Sequence, residues 1–408
     1  MLHQFNPDFS FETNVLEAGA YFQHPGKDPE ALPIHMSTAH NVEDVADLLE
    51  RYKEGDFCYN RNRNPNRSAL AELVAYVEGA EAAIACSSGM AAISTAILAN
   101  TKAGDHVLSD KTLYGESIEI FTDVLGKYGV ETSFVDFTDL EQVKKALRPN
   151  TVLLYTETIS NPLCGVPDLQ AIADIAHQQK ALLLVDNTFM TGCLAKPLAM
   201  GADMVVISLT KFANGHSDAV TGAIAGSSAR VKACHHLQVL LGSQADPFSS
   251  WLTCRGMRTM ELRIKKQAEN ALALAKALEQ SPYVKKVFYA GLSSSPNHAL
   301  AVREFGNYFG GMLTIELPEE ADYDAPESKM NRFMRALHLA HYAMTLGGYR
   351  TTFSYPPHSS HDNLTKEERY RIGITDSMLR FSIGIENEAD LIGDFLQALE
   401  TAYGKEEG

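Results

Sequence analysis

Residues 203–218 read DMVVISLTKFANGHSD, and this stretch decides the predicted fold. Four uncharged apolar residues, Met204 to Ile207, are followed at once by polar residues and by Lys211. An unbroken apolar run of this length predicts a strand that is buried on both faces, as in parallel sheets covered by helices. Lys211 therefore falls at the carboxyl end of a buried strand.

Three further apolar runs of the same kind flank this strand, with helical patterns between them. They are Val152 to Tyr155, Leu182 to Val185 and Thr221 to Ala225. Strands that alternate with helices predict an α/β fold with a mostly parallel central sheet and helices on both faces. In such sheets ligands bind beyond the carboxyl ends of the strands, so polar residues at these ends are candidate site residues.

The remaining pattern divides the chain into three predicted segments. Residues 1–60 form an N-terminal arm with one helix, around Val45 to Tyr52. Residues 61–257 form the large domain that contains the sheet. Residues 258–408 begin with a long helix and form a smaller C-terminal α/β domain. Its expected strands are Met312 to Leu317 and Leu379 to Ile385.

Two segments are expected to be polar and outside the core. Tyr59 to Arg67, which reads YNRNRNPNR, is too rich in Asn and Arg for a core, and Lys405 to Gly408 is predicted to be a solvated tail. Between the first of these segments and Gly79, the spacing of Leu70 and Val77 with other apolar residues predicts an amphipathic helix that Gly79 ends.

Composition narrows the class of protein. The 408 residues are 45% hydrophobic, which is enough for a large core, and the formal net charge of −16 argues against nucleic acid or an anionic membrane as a partner. No apolar run reaches the length of a membrane span, and the N-terminus lacks the pattern of a secretory signal. The six cysteines show no metal-binding or C-x-x-C spacing, which favours reduced thiols in the cytoplasm.

A helix start supplies a candidate anion site. Ser88, Gly89 and Met90 follow the short apolar run Ala82 to Ala85 and open the helical stretch AAISTAILA. Free N–H groups and the helix dipole at such a turn attract a phosphate. A serine that only caps its own helix is the competing interpretation.

Two strand ends supply a carboxylate and an amine. Asp186 ends the run LLLVD, where partial desolvation favours a cationic partner such as a protonated pyridine nitrogen. Lys211 ends the next strand, and desolvation there favours the neutral amine that covalent attachment to an aldehyde requires. Ser208 and Thr210 precede Lys211 and could bind phosphate oxygens. The alternatives are an Asp that caps a loop and a Lys that extends to solvent.

Arg380 supplies a candidate carboxylate clamp. It lies in MLRFSIGIE, within an otherwise apolar predicted strand. A buried arginine needs a carboxylate partner, which is either a substrate or an Asp or Glu of the protein. Together the four features form the parts of a pyridoxal-phosphate site.

On these residues the chain resembles the trans-sulfuration family of pyridoxal-phosphate enzymes, which have the fold-type I, aminotransferase-like architecture. The family includes cystathionine γ-synthase, cystathionine γ- and β-lyases, methionine γ-lyase and homoserine sulfhydrylases. The matching segments run nearly end to end: Tyr59 to Arg61, Ser88 to Ala92, Leu113 to Gly115, Glu157 to Pro162, Val185 to Thr188, Ser208 to Asp218 and Arg380 to Glu386.

The resemblance implies a role for each matching residue. Lys211 would hold pyridoxal 5'-phosphate covalently and later move protons, and Asp186 would keep the ring nitrogen protonated. Tyr114 would stack on the ring and give a proton to the leaving sulfur. Arg380 and Thr345 would bind the substrate. The other cofactor contacts would come from Ser88, Gly89, Met90, Ser208, Thr210 and Asn161.

The resemblance also implies an oligomer. Tyr59 and Arg61 match family positions that reach the phosphate of the neighbouring subunit. Residues 1–60 would then contribute to that subunit, a homodimer would be the catalytic unit, and a homotetramer is the expected assembly.

Two departures from the family leave the substrate open. Glu116 stands where methionine γ-lyases carry a cysteine, and Arg350 lies where many members have a glutamate nearby. If Arg350 faces the site, its charge would favour a distal anionic group on the substrate. If it pairs with Glu116, it would not.

The expected activity is carbon–sulfur bond cleavage by α,γ-elimination on a sulfur amino acid of the methionine, cystathionine or homocysteine class. It would yield a 2-oxo acid, ammonia and a thiol. The first alternative is γ-replacement, by a cystathionine γ-synthase or an O-acylhomoserine sulfhydrylase. A remoter alternative is a non-catalytic binding protein that has kept the fold. A metal site at His216, Asp218, His235 and His236 lacks any known ligand spacing, and no metal is expected.

Overall fold

The computed structural model describes residues 9–18, 31–362 and 364–404. The larger of its two sheets has seven strands in the order β1-β7-β6-β5-β4-β2-β3, of which β7 runs antiparallel to both neighbours and the others are parallel. The predicted mostly parallel sheet is confirmed. The strands are β1 (Ala82–Cys86), β2 (His106–Asp110), β3 (Glu131–Val135), β4 (Thr151–Glu157), β5 (Leu182–Asp186), β6 (Met204–Ile207) and β7 (Gly222–Gly226).

Helices cover both faces of this sheet because its strands are apolar on both faces. In β5, Leu184 packs into one hydrophobic cluster, whereas Leu183 and Val185 pack into another on the opposite face. The helices up to the end of this sheet are α1 (Phe11–Glu17), α2 (Val45–Glu54), α3 (Pro65–Glu78), α4 (Gly89–Ala99), α5 (Gly115–Glu119), α6 (Leu140–Ala146), α7 (Leu169–Gln178) and α8 (Thr191–Leu194).

The second sheet follows a long helix, as the sequence predicts. Its strands are β8 (Lys286–Phe288), β9 (Met312–Glu316), β10 (His341–Tyr342), β11 (Thr352–Ser354) and β12 (Met378–Ser382), in the order β10-β11-β12-β9-β8. The helices that follow β7 are α9 (Ser228–Leu241), α10 (Pro247–Met257), α11 (Met260–Glu279), α12 (His298–Phe305), α13 (Lys329–Ala336), α14 (Lys366–Arg371) and α15 (Glu388–Tyr403).

One strand is shorter than predicted. The run Leu379 to Ile385 is expected to be extended throughout, but β12 ends at Ser382. The N–H of Ile385 donates to the backbone oxygen of Tyr349 instead of a neighbouring strand, at 2.9 Å. The chain therefore leaves the ladder before the apolar run is complete.

The expectation that Tyr59 to Arg67 lies outside the core is wrong for its second half. Asn64, Asn66 and Arg67 are buried. Their polar groups are satisfied there: the side-chain amides of Asn64 and Asn66 donate to backbone oxygens of residues 33–35, and Arg67 donates to the oxygen of Ala245. Buried polar groups are tolerated when they are hydrogen-bonded in this way.

The predicted segment boundaries remain predictions. The arm is described over 9–18 and 31–60, and the predicted tail, Lys405 to Gly408, lies outside the described residues. Within the described ranges, no helix is both long and apolar enough to cross a bilayer.

Candidate active site

A cavity of about 360 Å³ opens at the carboxyl ends of β4, β5 and β6. It brings together most of the residues that the sequence singles out, from both halves of the chain. The residues predicted from the sequence that line this cavity are Ser88, Gly89, Met90, Tyr114, Asn161, Asp186, Ser208, Thr210, Lys211, Thr345 and Arg380.

Lys211 lies in the turn that follows β6, with its amine inside the cavity. Nζ lies 3.5 Å from Oγ1 of Thr345, whose turn packs directly on the lysine backbone. Gly347 makes this approach possible: its φ is +79°, and a Cβ there would lie 2.4 Å from the nitrogen of Phe212. Burial, and then the charge of Arg380, lower the pKa of Lys211, which favours the neutral amine.

Two carboxylates end neighbouring strands side by side. Asp186 of β5 pairs in register with Glu157 of β4. Oδ1 of Asp186 accepts the N–H of Thr188 at 2.9 Å, yet burial still raises the pKa of this carboxyl. Burial, and then the charge of Asp186, raise the pKa of Glu157. A cationic group in the cavity would relieve both carboxylates.

The start of α4 lies against the end of β6. A Cβ on Gly89 would come within 2.7 Å of Cβ of Ser208, so only glycine permits this approach. The hydroxyl of Ser88 caps α4 by accepting the N–H of Ala91 at 3.0 Å. Ser88 therefore does cap its own helix, and because Ser88 and Gly89 also line the cavity, the helix N-terminus lies at the cavity wall. The hydroxyl of Thr210 donates to the oxygen of Thr221.

Arg380 projects from β12 into the same cavity. Nη1 donates to Oδ1 of Asn161 and Nη2 to Oγ of Ser354, each at 2.9 Å. Both partners are neutral, so these bonds position the guanidinium without neutralising it. Burial lowers the pKa of Arg380 to about 10, which leaves it cationic at neutral pH.

Tyr114 lies just before α5, next to two glutamates. Its N–H donates to Oε1 of Glu157 at 2.8 Å, and its side chain lines the cavity together with Glu116. Burial, and then the nearby Glu116 carboxylate, raise the pKa of Tyr114. The hydroxyl therefore keeps its proton at neutral pH.

Three residues that the sequence singles out do not line this cavity. Tyr59 is 42% exposed, and Arg61 donates to the backbone oxygen of Val239 at 2.9 Å. Arg350 is exposed, with its guanidinium carbon 5.3 Å from the ring centre of Tyr349. Glu116 does line the cavity, so the two departures from the family lie in different places.

Some lining residues were missed by sequence reasoning, most clearly Glu157. It follows the apolar run Val152 to Tyr155 by two positions, and an acidic residue at a predicted strand end was the available signal. Thr188, whose hydroxyl accepts the N–H of Ser208 at 2.8 Å, carries no comparable signal. Among the described residues, no group of three or more His, Cys, Asp or Glu side chains has the arrangement of a metal site.

Residues 12–400 match the model of the Cys/Met metabolism PLP-dependent enzyme family. The chain belongs to this trans-sulfuration family. Its members use pyridoxal phosphate, and relatives of this enzyme are carbon–sulfur lyases. A non-catalytic role is therefore not supported.

Relatives of this trans-sulfuration enzyme include both lyases and synthases. It is 41% identical to cystathionine γ-lyase of Bacillus subtilis, over 84% of this chain and 88% of the relative. It is 36% identical to L-methionine γ-lyase of Fusobacterium nucleatum subsp. polymorphum, over 91% and 93%. The structure of cystathionine γ-synthase from Xanthomonas oryzae pv. oryzae, in complex with aminoacrylate and cysteine, superposes with a TM-score of 0.90 at 32% identity, over 97% and 98% of the two chains. These likenesses confirm the fold-type I architecture.

The cavity of this trans-sulfuration enzyme fits the family's cofactor. Gly89 lets the start of α4 pack closely against Ser208, so a helix N-terminus faces the cavity, and such a terminus binds phosphate well. The raised pKa of Asp186 calls for a cation, as a pyridine ring nitrogen would supply when protonated. The lowered pKa of Lys211 suits a covalent link to an aldehyde.

Proposed function

We propose that this enzyme cleaves the bond between sulfur and the γ-carbon of a sulfur amino acid by α,γ-elimination. With water, the products are a 2-oxo acid, ammonia and a thiol. The observation that carries the proposal is that Lys211 and Tyr114 share one cavity. One is biased towards the neutral amine and the other towards the protonated hydroxyl. The cavity thus holds a proton acceptor and a proton donor, and elimination needs no second substrate.

In this proposal three parts of the chain would hold the cofactor. The start of α4 and the end of β6 would bind its phosphate, Asp186 would face its ring nitrogen, and Lys211 would attach it covalently. When bound, it would supply an electron sink to the substrate's α-carbon. The proposed phosphate and ring contacts are Ser88, Gly89, Met90, Ser208, Thr210, Tyr114 and Asn161.

The substrate carboxylate is bound by Arg380 in this proposal. Asn161 and Ser354 already fix two of its nitrogens, so the guanidinium is oriented before the substrate arrives. Pre-oriented donors lose less entropy on binding than free ones. Thr345, next to the Lys211 amine, forms the adjoining wall.

Proton transfer is divided between two side chains. The Lys211 amine takes the proton from the α-carbon, passes it on, and then takes the β-proton, which must also leave before the γ-substituent can depart. Burial, and then the nearby Arg380 charge, disfavour its protonated form. Tyr114 gives its proton to the departing sulfur. A positioned proton donor of this kind contributes about a hundred- to ten-thousandfold to the rate.

We also propose a homodimer, assembled further into a homotetramer, in which Tyr59 and Arg61 reach the cavity of the neighbouring subunit. Both lie away from the cavity of their own chain. On α2, in the same predicted arm, Val45 is 71% exposed and Leu49 is 61% exposed, which leaves an apolar helix face for a second copy to cover.

Because all six cysteines are free, we place the enzyme in the reducing cytoplasm.

Mixed dimers test the shared site. Arg61→Ala and Lys211→Ala are co-expressed with different tags, and dimers that carry both tags are purified. If Arg61 serves the neighbouring cavity, one site of each mixed dimer has both residues, and the mixed dimer regains about half of the wild-type activity per dimer. A mixed dimer as inactive as its parents contradicts the proposal.

Product analysis tests the reaction. Purified enzyme is given methionine, homocysteine or cystathionine without added thiol, and 2-oxo acid and free thiol are measured. Elimination predicts equal amounts of both. The likeness to a cystathionine γ-synthase makes γ-replacement the second candidate, and it predicts product only when an O-acylhomoserine and a thiol are both supplied.

A further inference from the structure

We propose that Glu116 makes this enzyme select thioethers whose departing half carries an ammonium group, as the cysteine half of cystathionine does. The inference rests on the proposed function for one point, that the substrate sulfur lies beside Tyr114. It goes beyond that function because it names the feature of the substrate that is selected and the residue that selects it.

The position of Glu116 suits the departing half of the substrate. Buried lining residues such as Asp186 and Arg380 mark the base of the cavity, whereas Glu116, Met344 and Val220 are exposed lining residues at its open end. A substrate whose carboxylate is held at the base by Arg380 extends its side chain towards that open end. Its departing half therefore approaches Glu116.

Tyr114 and Glu116 are two positions apart in the chain and line the same cavity. The hydroxyl that protonates the sulfur is close enough to the Glu116 carboxylate for that carboxylate to raise the pKa of Tyr114, after burial. An amine two carbons beyond the sulfur would fall within reach of the same carboxylate. When the hydroxyl turns to the sulfur, the substrate ammonium becomes the donor that faces Glu116.

The other charged residues that line the cavity already have proposed roles, which leaves Glu116 to bind the departing half of the substrate. Of the charged side chains that line the cavity in the described part of the chain, Lys211, Asp186 and Arg380 serve the cofactor and the α-carboxylate, and Glu157 holds the backbone of Tyr114. Glu116 then faces the departing group. It attracts an ammonium, gains nothing from the methyl group of methionine, and repels the distal carboxylate of a succinyl ester.

Equilibrium binding to the holoenzyme provides the test. Diaminosuberate is cystathionine with a methylene in place of sulfur, so it cannot undergo carbon–sulfur cleavage, and aminosuberate lacks only the distal ammonium. Calorimetry should show that the wild type binds diaminosuberate about tenfold more tightly than aminosuberate. A difference of this size is typical of one charge-assisted hydrogen bond. In Glu116→Gln the ratio should fall below about twofold, and Glu116→Asp should keep part of it.

Glu119→Gln is the matched control. Glu119 lies on the same short helix, is also exposed, and does not line the cavity. It should retain the tenfold ratio, because only a carboxylate in contact with the ligand selects it. Equal binding of the two ligands by the wild type overturns the inference, as does a loss of selectivity in Glu119→Gln equal to that in Glu116→Gln.

This test separates the inference from the proposed lyase activity. Binding of the two analogues does not depend on carbon–sulfur cleavage, so a protein that selects diaminosuberate but forms no 2-oxo acid from cystathionine overturns the lyase proposal alone. An active lyase that binds both analogues equally overturns the role of Glu116 alone.

Discussion

Nη1 of Arg380 donates a hydrogen bond of 2.9 Å to Oδ1 of Asn161, which joins the smaller sheet to the loop that follows β4 of the larger one. Nη2 donates to Ser354 on the neighbouring strand β11. Arg380 is 7% exposed, so removing either partner would leave a buried donor unsatisfied. The proposed carboxylate site is thus assembled from both sheets, and its geometry depends on how they pack.

Replacing Arg380 by lysine should weaken substrate binding more than its retained charge suggests. A lysine cannot donate to Asn161, Ser354 and a substrate carboxylate from fixed directions, as the planar guanidinium does. We expect KM to rise about 10- to 100-fold, a loss typical of charged hydrogen bonds, while the cofactor absorbance stays unchanged. Ser354→Ala, which removes one orienting bond, is the control and should raise KM less. An unchanged KM in Arg380→Lys would show that the carboxylate binds elsewhere.

Gly89→Ala should weaken cofactor binding through shape alone. The added Cβ would lie 2.7 Å from Cβ of Ser208, so α4 and the end of β6 must separate at the proposed phosphate site. We expect the dissociation constant of pyridoxal phosphate to rise at least about tenfold, since a small misplacement of donors costs binding energy. Gly126→Ala adds a methyl group where no atom lies within 4 Å, and it should leave the constant unchanged. Equal behaviour of the two variants contradicts the proposed cradle.

Three of the four residues on which the site interpretation depends could be found from sequence because they follow or lie within apolar runs. Asp186 ends β5 and Lys211 follows the neighbouring strand β6, and parallel strands bring their carboxyl ends to one edge of a sheet. Arg380 stands out as a charge in an apolar run, and Tyr114 is identified by the family resemblance alone. These signals are local, so they are visible without the structure.

The features that sequence reasoning missed depend on contacts between distant segments. Glu157 lies beside Asp186 because of the register between β4 and β5. Asn66 can be buried because its side chain accepts a hydrogen bond from the N–H of His35 and donates one to the backbone oxygen of Pro33. Arg350 is exposed and does not line the cavity, which its neighbours in sequence do not reveal. No pattern within a single element encodes such partners.

Asp186→Asn should stabilise the cofactor-free protein at high pH. Folding raises the pKa of Asp186, so between the unfolded and folded values the folded state holds the additional proton, and the free energy of unfolding falls as pH rises through that window. The variant lacks this loss. Cofactor-free Asp186→Asn should therefore melt about 1–3 °C above the cofactor-free wild type near pH 8, with the difference closing below about pH 4.

The cofactor should reverse this order. A protonated ring nitrogen would give Asp186 a cationic partner, so the loaded wild type should melt above the loaded variant. Differential scanning calorimetry of both proteins, with and without pyridoxal phosphate, measures all four values. Glu157 and Tyr155 also face this carboxylate, and Thr188→Val, which leaves the charge in place, is the control. If the wild type were more stable than Asp186→Asn both with and without the cofactor, ionised Asp186 would not destabilise the cofactor-free fold, and the prediction would be wrong.

Tyr114→Phe should separate the two proton transfers of the proposed reaction. The phenyl ring keeps the shape and the stacking surface but has no proton for the departing sulfur, so kcat for elimination should fall about a hundred- to ten-thousandfold. Lys211 is untouched and still takes the α-proton. In heavy water the variant should therefore exchange the α-proton of the substrate at a rate near that of the wild type, measured by loss of its NMR signal.

Lys211→Ala is the matched comparison, because it should lose both exchange and elimination. A Tyr114→Phe variant that loses α-proton exchange as completely as elimination would assign the first proton transfer, and not the second, to this tyrosine. Retained elimination would mean that another group protonates the sulfur, and Glu116, which lines the same cavity as Tyr114, is the candidate to test. The double variant with Glu116→Gln would then lose the remaining activity, whereas Glu119→Gln in the same background would not.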